Sequence, residues 1–379
     1  MKINQDFKFV DLFAGIGGMR LAFEKYNFSC LLTCELDPYA LKTYKLNFQT
    51  NQNHSYHNDL LTLDFATVKK YDILLAGFPC QPYSIAGLRK GLNDNRGGEI
   101  FNAMIQMLKI TRPKAFLLEN VRGLKSHDEG KTLQYMITKL EECGYYISGT
   151  EILNSMDHAN IPQNRERLFI VGFKNKSKAK SFNFPHKVPL TKTIMDMIQE
   201  PTKNSHYYYS NRYPKFPEIK EGIKKKDTLY QWRRVYVREN KSKACPALTA
   251  NMGTGGHNVP LLKNDYGIRK LTPKEVANFQ GFPNKYTFPK NMLERPKQGF
   301  SIPLDKWLRG ELSEWASELL SLDLINELNI FEASEVNKLW ESHLSQKENN
   351  GHKLWTVLML QGWLKNRKEN IYSAKDNLG

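Results

Sequence analysis

The cysteine at position 80 is the first residue whose setting suggests chemistry. Cys80 lies in GFPCQPYS (residues 77–84), directly after the apolar run Ile73–Ala76, which predicts a buried strand. Pro79 and Pro82 restrict the backbone on either side of the cysteine. A thiol at the carboxyl end of a strand can become a nucleophilic thiolate where positive charge is near. The alternative is a buried, inert cysteine, which is how we interpret the other four cysteines.

An acid and two arginines lie next to later apolar runs. Glu119 follows the run Ala115–Leu118, where a carboxyl group can donate or accept a proton on a heterocycle. Arg165 and Arg167 precede the run Leu168–Phe173, and their i, i+2 spacing directs both side chains to one face of an extended segment. The strand-end position of Glu119 predicts that it faces the same cleft as Cys80. The alternative for the two arginines is a solvated rim.

A glycine turn near the start of the chain is the third candidate. The sequence DLFAGIGG (residues 11–18) joins a strand-like run to a helical one, which lets backbone approach a ligand. Its spacing differs from the G-x-G-x-x-G of dinucleotide-binding proteins. Glu35 ends the next apolar run and Asp59 follows a third strand, so these acids could bind a ribose diol and an adenine amino group. Taken alone, the turn fits a nucleotide-like cofactor and an ordinary tight turn equally well.

Together and in this order, these motifs resemble the DNA cytosine-5 methyltransferase family of bacterial restriction systems. The resemblance is carried by DLFAGIGG, GFPCQPYS, ENV, QNRERLFIVG and IRKLTPKEVANFQGFP, and it covers about residues 7–290. It implies methyl transfer from S-adenosylmethionine to carbon 5 of a cytosine in double-stranded DNA, within a restriction-modification system.

The resemblance also implies a role for individual residues around the cofactor. The residues that would form the S-adenosylmethionine pocket are Phe13, Gly15, Gly17, Glu35, Asp59 and Pro79. Of these, Glu35 would bind the ribose and Asp59 the adenine.

The catalytic roles are implied in the same way. Cys80 would add to carbon 6 of the cytosine, Glu119 would contact the ring nitrogen, and Arg165 would lie near the ring carbonyl. Arg167 would position the catalytic loop or the glutamate. The target base must leave the duplex, which costs a few kcal/mol, and residues 81–98 are predicted to be a lid over it.

Apolar runs and helical patterns predict the scaffold of these residues. The runs Leu31–Cys34, Ile73–Ala76, Ala115–Leu118 and Leu168–Phe173 are typical of buried parallel strands. The predicted helices are Met19–Tyr26, Tyr39–Phe48, Glu99–Thr111 and Thr132–Cys143. A later helical pattern, Ile268–Phe282, contains an N-cap signal at Thr272 with Pro273 and Glu275.

This alternation predicts a doubly wound α/β sheet. With the resemblance, we expect a Rossmann-like S-adenosylmethionine-dependent methyltransferase sheet, a smaller loop-rich, β-containing target-recognition domain and a helical C-terminal tail. The expected domains are 1–180 for cofactor binding and catalysis, 181–265 for target recognition, 266–291 for a return segment and 292–379 for the tail.

The distribution of charge indicates where DNA would bind. The chain has 55 Lys+Arg and 39 Asp+Glu, a net charge of +16. Residues 292–379 carry 11 basic and 13 acidic side chains, so residues 1–291 carry +18. The window Thr202–Lys243 has 12 basic, 4 acidic and 8 aromatic residues, a composition suited to phosphate contacts and base stacking. Arg233, Arg234 and Arg238, beside Trp232 and Tyr236, are the predicted DNA-binding residues.

The tail departs from the methyltransferase pattern. The family's final motif, with a Gly-Asn-Ser-Val-like core, is not found after Pro283, and about residues 292–367 resemble the C-terminal end of glutamine-hydrolysing asparagine synthetases. The Ser-Gly-Gly-x-Asp-Ser loop and N-terminal nucleophilic cysteine of such synthetases are missing, so we expect no synthetase activity. We predict two or three amphipathic helices, with one apolar face formed by Leu304, Leu308, Leu312, Trp315 and Leu319. The tail is interpreted as a segment of unrelated origin.

Composition limits the setting and leaves two alternative functions. With 40% hydrophobic residues in 379, the chain can bury a core. We find no apolar run long enough for a transmembrane helix, no signal-peptide pattern and no metal-ligand spacing among the cysteines, and we expect a cytoplasmic protein. The resemblance implies a companion restriction endonuclease as a partner, and we expect the protein itself to be a monomer. The alternatives are a DNA-binding relic without cofactor affinity, and a tRNA cytosine-5 methyltransferase, which the long proline-rich insert disfavours.

Overall fold

A computed structural model describes most of the chain in two units. The described residues are 7–50, 52–79, 95–199, 205–233, 235–249, 259–289, 304–328 and 330–376. The chain divides into residues 1–297 and 298–379. No helix among the described residues is both long and apolar enough to cross a membrane.

A seven-stranded sheet forms the centre of the first unit. Its strands, in spatial order, are β3 (Ser55–His57), β2 (Ser29–Cys34), β1 (Lys8–Leu12), β4 (Ile73–Gly77), β5 (Ala115–Val121), β8 (Glu166–Phe173) and β6 (Tyr146–Asn154). The first five are mutually parallel. This confirms the predicted doubly wound α/β fold, because the chain winds outward from β1 to both edges of the sheet.

The orientation predicted for Leu168–Phe173 is wrong. Strand β8, which contains it, runs antiparallel to both β5 and β6. The reason is β6, whose side chains are mostly half-buried and whose sequence, YISGTEILN, mixes polar and apolar residues. It therefore lacks the continuous apolar run that marks the other strands. Strand β6 occupies the edge, and the short connection 155–165 returns the chain between β5 and β6.

Helices cover this sheet close to their predicted positions. They are α1 (Gly18–Glu24), α2 (Pro38–Asn47), α3 (Asn95–Thr111), α4 (Lys131–Glu142), α5 (Ser155–His158) and α6 (Lys176–Ser181). The core between helices and sheet includes Val10, Leu12, Leu74, Phe101, Met104, Phe116 and Met136. Burial of this apolar surface holds the strand ends in fixed relative positions.

A smaller β-rich region follows. Strands β10 (Val237–Glu239), β9 (Tyr230–Trp232), β12 (Pro260–Asn264) and β13 (Gly267–Lys270) form a second sheet in this order, with α7 (Phe216–Gly222) beside it. The pair β7 (Gln163–Asn164) and β11 (Cys245–Pro246) joins this region to the catalytic one. Its core contains Ile219, Ile223, Tyr230, Trp232, Leu261 and Ile268.

The return segment differs partly from its predicted form. The Ile268–Phe282 pattern is strand β13 followed by helix α8 (Pro273–Phe279), rather than one helix. The predicted cap is confirmed, because Thr272 and Glu275 form a complete capping box with Pro273 in the first turn.

The second unit consists of helices around its own core. They are α9 (Leu304–Arg309), α10 (Ser313–Leu319), α11 (Leu322–Leu328), α12 (Ala333–Leu344) and α13 (Gly351–Asp376). The described part therefore contains five helices, more than predicted, because the chain turns at Gly310 between α9 and α10. The core includes Leu308, Leu319, Ile325, Trp340, Leu354 and Leu358.

Candidate active site

The glycine loop between β1 and α1 adopts a backbone that most residues disfavour. Phe13, Gly15 and Gly17 have φ values of 55°, 54° and 88°. A side chain at Gly17 would overlap the ring of Phe48. At Gly15, by contrast, no atom of the described residues lies within 4 Å of where a Cβ would be. The loop is thus packed on one side and open on the other, where backbone can approach a ligand.

Glu35 at the end of β2 is tied to this loop. Its carboxylate accepts hydrogen bonds from the Gly15 N–H and the Asp37 N–H, both at 2.7 Å. Burial raises the pKa of Glu35, and these two N–H donors oppose that rise. The Leu36 backbone opposes the rise as well, and the carboxylate keeps acceptor capacity for a sugar hydroxyl.

Two more predicted cofactor residues lie at neighbouring strand ends. Asp59 follows β3 and accepts from the Leu61 N–H at 3.1 Å, so it caps the short 3₁₀ turn Leu60–Thr62. Pro79 follows β4 and is half-buried. The sheet therefore brings the ends of β1 to β4 to one edge, together with the predicted cofactor residues that follow them.

The return segment supplies an outer support for the glycine loop that sequence reasoning missed. The Tyr286 hydroxyl donates to the Ile16 carbonyl. Asn47 and Thr287 exchange two hydrogen bonds of 2.7 Å, which fix this segment to the end of α2. The ring of Tyr286 packs among aromatic side chains in the cluster Tyr44, Phe48, Phe282 and Phe288. The closely spaced aromatics of FPNKYTF (residues 282–288) were the available signal.

A buried polar network lies behind the glycine loop. The Tyr44 hydroxyl donates to Asp11 at 3.2 Å and accepts from Thr33 at 2.8 Å. The guanidinium of Arg20 lies 4.5 Å from the Phe48 ring centroid and donates to the Gln49 carbonyl at 3.1 Å. Burial raises the pKa of Asp11 to about 7. This network attaches α1 and α2 to the sheet, and no sequence motif indicated it.

The catalytic carboxylate predicted at the end of β5 is paired with an arginine of β8. The Arg167 Nε lies 2.7 Å from a Glu119 oxygen, and both side chains are about one-fifth exposed. Burial raises the pKa of Glu119, while the charges of Arg167 and Arg165 oppose the rise. Gly77 lies opposite Glu119 in the sheet, and a side chain there would press against the carboxylate.

The neighbouring residue connects this carboxylate to the predicted nucleophile segment. The amide of Asn120 is buried and donates to the Phe78 carbonyl at 3.2 Å, which joins the end of β5 to the chain leading into Pro79. Cys80 lies outside the described residues, as do residues 81–94 of the predicted lid. Residues 95–98, the remainder of that lid, form the start of α3.

The two predicted arginines of the catalytic cleft occupy different positions relative to Glu119. Arg167 makes the direct ion pair, whereas Arg165 acts on the carboxylate through its charge. The backbone of Arg165 is fixed between β7 and β8, because its N–H donates to the Asn154 side chain at 3.1 Å. The structure thus brings Glu119, Arg165 and Arg167 together.

Two of the three predicted DNA-binding arginines, Arg233 and Arg238, lie on the hairpin of β9 and β10. The Arg233 N–H donates to the Tyr236 carbonyl at 2.9 Å, and Arg238 is exposed on β10. Arg234 lies outside the described residues. Tyr236 is 56% exposed, but Trp232 is only 6% exposed and belongs to the core. Of the two aromatic neighbours of these arginines, Tyr236 is therefore open to solvent and Trp232 is not.

Comparisons with known proteins identify this arrangement. The family model described as C-5 cytosine-specific DNA methylase matches residues 7–305, and that of asparagine synthase matches residues 284–365, which confirms both resemblances. The Type II methyltransferase M.Bsp6I of Bacillus sp. (strain RFL6) is 45% identical over 282 residues, 74% of this chain and 88% of that protein. M.HpaII of Haemophilus parainfluenzae is 36% identical over 313 residues, 78% and 85% of the two chains.

A solved structure shares the fold. The methyltransferase EhMeth of Entamoeba histolytica superimposes with a TM-score of 0.58 at 18% identity, covering 78% of this chain and 91% of that one. The extent of the family match and the identity to its relatives show that the chain belongs to the C-5 cytosine-specific DNA methylase family.

Proposed function

We propose that this cytosine methylase transfers the methyl group of S-adenosylmethionine to carbon 5 of a cytosine flipped out of duplex DNA. The observation that carries the proposal is the Glu119–Arg167 pair at the end of β5, next to the strand whose continuation is Cys80. Pairing across β4 and β5 brings an acid with a raised pKa to the same sheet edge as the segment that leads to a nucleophile.

The residues at the neighbouring strand ends fit the proposed donor. The loop at Gly15 leaves space for a ligand, and the carboxylate of Glu35 lies beside it, where it would accept from the ribose. Asp59, which follows β3, would accept from the adenine amino group. When bound, S-adenosylmethionine supplies an electrophilic methyl group on a sulfonium.

Cys80 would make the cytosine ring reactive. Its thiolate adds to carbon 6, forming an S–C bond and moving the electron pair of the 5,6 double bond to carbon 5 and the ring nitrogen. Glu119, protonated more readily because burial raises its pKa, donates a hydrogen bond to that nitrogen and stabilises the developing charge. Carbon 5 would then form a bond to the methyl group, whose bond to the donor sulfur breaks with its electron pair remaining on that sulfur as a thioether. Loss of the carbon-5 proton to a base restores the double bond and expels the thiolate.

Arg167 and Arg165 would control Glu119 rather than react themselves. The 2.7 Å contact with Arg167 orients the carboxylate, and the positive charge of both arginines limits how far burial raises its pKa. We propose that Arg165 additionally contacts the ring carbonyl oxygen, where its donors would stabilise negative charge.

Labelled methyl transfer tests the proposed reaction. Purified full-length protein is incubated with methyl-labelled S-adenosylmethionine and either plasmid DNA or transfer RNA. We expect label at carbon 5 of cytosine in the DNA and none in the RNA. The absence of label in DNA under saturating donor would exclude the activity, and label in the RNA alone would favour the tRNA alternative.

Covalent trapping tests the nucleophile. On DNA fragments containing 5-fluorocytosine the carbon-5 atom cannot lose a proton, so the protein should remain attached. We expect a stable adduct with the unaltered chain and none with Cys80→Ser, while Cys245→Ser, which alters a buried cysteine, should still form it. An adduct that persists in Cys80→Ser would refute the assignment.

Donor binding separates an enzyme from a DNA-binding relic. Calorimetric titration with S-adenosylmethionine should show heat that is lost in Glu35→Ala. A chain that binds DNA in a salt-dependent manner but gives no heat with the donor would support the relic.

We further propose that the protein is a monomer acting in the cytoplasm beside a companion restriction endonuclease, as a modification enzyme. Sedimentation and inspection of the neighbouring genes test these proposals.

A further inference from the structure

Positive charge is concentrated at the strand ends that lie opposite the candidate active site, and the sequence does not reveal it. Arg112 precedes β5, whereas Lys174, Lys176 and Lys180 follow β8. Because β5 and β8 are antiparallel, the start of one lies beside the end of the other, and the Lys174 N–H donates to the Lys114 carbonyl at 3.0 Å. We call Arg112, Lys174, Lys176 and Lys180 the basic end surface.

These four side chains lack the acidic partners that balance other cations of the region. Lys114 is neutralised by Asp72 at 2.7 Å, and Lys139 by Glu142 at 2.7 Å. In the described part of the chain, no residue of the basic end surface forms an ion pair within 4 Å. Burial and the positive charge of Arg112 both lower the pKa of Lys174, as expected for like charges on one surface. An anion bound there would relieve their repulsion.

A groove with an aromatic wall continues the basic end surface. It has a volume of about 590 Å³ and runs between the start of β6 and helix α6. Lys176 and Lys180, four residues apart on α6, both line it, as does the 45% exposed Tyr146. The Lys176 ammonium lies 5.7 Å from the centre of the Tyr146 ring. Lysines that line a groove are placed as proteins place the cations that contact the phosphates of duplex DNA.

The position of this surface separates it from the catalytic cleft. Glu119 lies towards the carboxyl end of β5, whereas Arg112 lies before its amino end. Seven residues of extended strand span about 20 Å. The basic end surface and the candidate catalytic carboxylate therefore lie at opposite ends of strand β5.

We propose that the basic end surface binds the phosphate backbone of a second segment of duplex DNA while the catalytic cleft holds the first. The proposal rests on the proposed function for the identity of the first segment. Its partner is DNA rather than another polyanion, because an enzyme that modifies DNA meets further segments of the same molecule at high local concentration. Such a contact would keep the enzyme on long DNA and let it pass between segments.

The number of bound duplexes tests this proposal. Sedimentation of the full chain with a fluorescent duplex of about 20 base pairs and mixed sequence, at low salt, should show two duplexes per protein. In Lys176→Gln/Lys180→Gln the number should fall to one. In the original chain, the affinity for the second duplex should fall as salt rises, with a log–log slope of at least about 2, since each phosphate contact contributes about 0.9. The pair Lys347→Gln/Lys353→Gln in the second unit removes the same charge and should leave both values unchanged.

Lysine acetylation locates the second duplex. Saturating DNA should protect Lys174, Lys176 and Lys180 from an amine-reactive acetylating reagent, as read by mass spectrometry. Saturation at one duplex, or lysines that stay equally reactive, would overturn the proposal, as would protection by phosphatidylserine vesicles but not by DNA. Methyl transfer to DNA is measured separately. If methyl transfer occurs but the lysines are not protected, only the proposed role of the basic end surface is rejected. If the lysines are protected but no methyl transfer occurs, only the proposed activity is rejected.

Discussion

Two arginine–glutamate pairs of almost equal length lie in different regions of this chain. In the return segment, Arg269 and Glu275 approach to 2.6 Å, with their side chains 1% and 0% exposed. At the candidate active site, Arg167 and Glu119 approach to 2.7 Å, with exposures of 23% and 21%. Distance alone therefore does not distinguish a structural pair from a catalytic one.

The pairs differ in how many acceptor sites of the carboxylate are used. A carboxylate offers about four. Glu275 fills four: two with Arg269, one with the Thr272 N–H at 2.7 Å and one with the Gln199 N–H at 3.1 Å. Within the described residues, the Glu119 carboxylate has no hydrogen-bond partner except Arg167. A saturated carboxylate can only hold the fold together, whereas an unsaturated one can bind a substrate.

Glu119→Gln gives the largest expected effect on activity. The amide keeps the size of the side chain but cannot cycle a proton, so we expect turnover to fall by about 10²- to 10⁴-fold. Because Glu119 has only one hydrogen-bonded partner among the described residues, the melting temperature should stay nearly unchanged. Labelled methyl transfer and thermal unfolding measure the two quantities. Glu166→Gln, which alters the surface pair with Arg122 on the same sheet edge, is the control. Activity within tenfold of the original chain would contradict the assignment.

Glu275→Gln should lower the stability of the fold and leave turnover unchanged, which is the reverse of Glu119→Gln. Without the carboxylate, the Arg269 guanidinium stays buried and uncompensated, and we expect the free energy of unfolding to fall by about 3–5 kcal/mol. Urea denaturation measures this loss, and Glu142→Gln at an exposed pair should change little. Methyl transfer per folded molecule should be retained at low temperature. A stable variant with abolished turnover would reverse the roles we give to the two pairs.

Asp11 extends the comparison to a carboxylate that is buried without a cation in contact. Its pKa is raised to about 7, chiefly by burial, so the folded chain holds this proton more tightly than the unfolded one. The resulting stability is complete below the ordinary pKa of 3.8 and is lost as pH rises through about 7. Between pH 5 and pH 8 we expect the free energy of unfolding of the original chain to fall by about 3 kcal/mol more than that of the Asp11→Asn variant. Equal losses in urea denaturation would contradict this.

The sequence predicted the parts of the site that depend on local patterns. The doubly wound sheet, the capping box at Thr272 and the place of Glu119 at a strand end all follow from short stretches read in order. The orientation of β8 did not, because it depends on an edge strand, β6, that lacks an apolar pattern. The membership of Trp232 in a core likewise depends on distant partners such as Ile219 and Leu261.

Contacts between distant segments were invisible for the same reason. Tyr286 and Ile16 are 270 positions apart, and Lys174 lies beside Lys114 only because β5 and β8 are antiparallel neighbours. Nothing in the local sequence of either segment records its partner. Motifs therefore indicated the candidate residues at the strand ends, while the support of the glycine loop and the basic end surface required the tertiary structure.

Tyr286→Phe gives the smallest expected effect and separates support of the cofactor loop from catalysis. The substitution keeps the ring among Phe48, Phe282 and Phe288 but removes the hydroxyl that donates to the Ile16 carbonyl. Loss of one such bond is worth about 0.5–1.5 kcal/mol. We expect this loss to appear as a KM for S-adenosylmethionine about two- to tenfold higher with kcat nearly unchanged, because the loop holds the donor equally in the ground and transition states.

The exposed Tyr266 provides the matched control for this measurement. Tyr266→Phe removes a hydroxyl at a site that is 59% exposed, and both kinetic constants should stay the same. A lower kcat with unchanged KM in Tyr286→Phe would place the tyrosine in the chemistry of the Glu119 region. An unchanged KM and kcat would mean that ring packing alone supports the loop. A selective rise in KM would show that the return segment serves both regions, stabilising its own fold through Glu275 and the donor site through Tyr286.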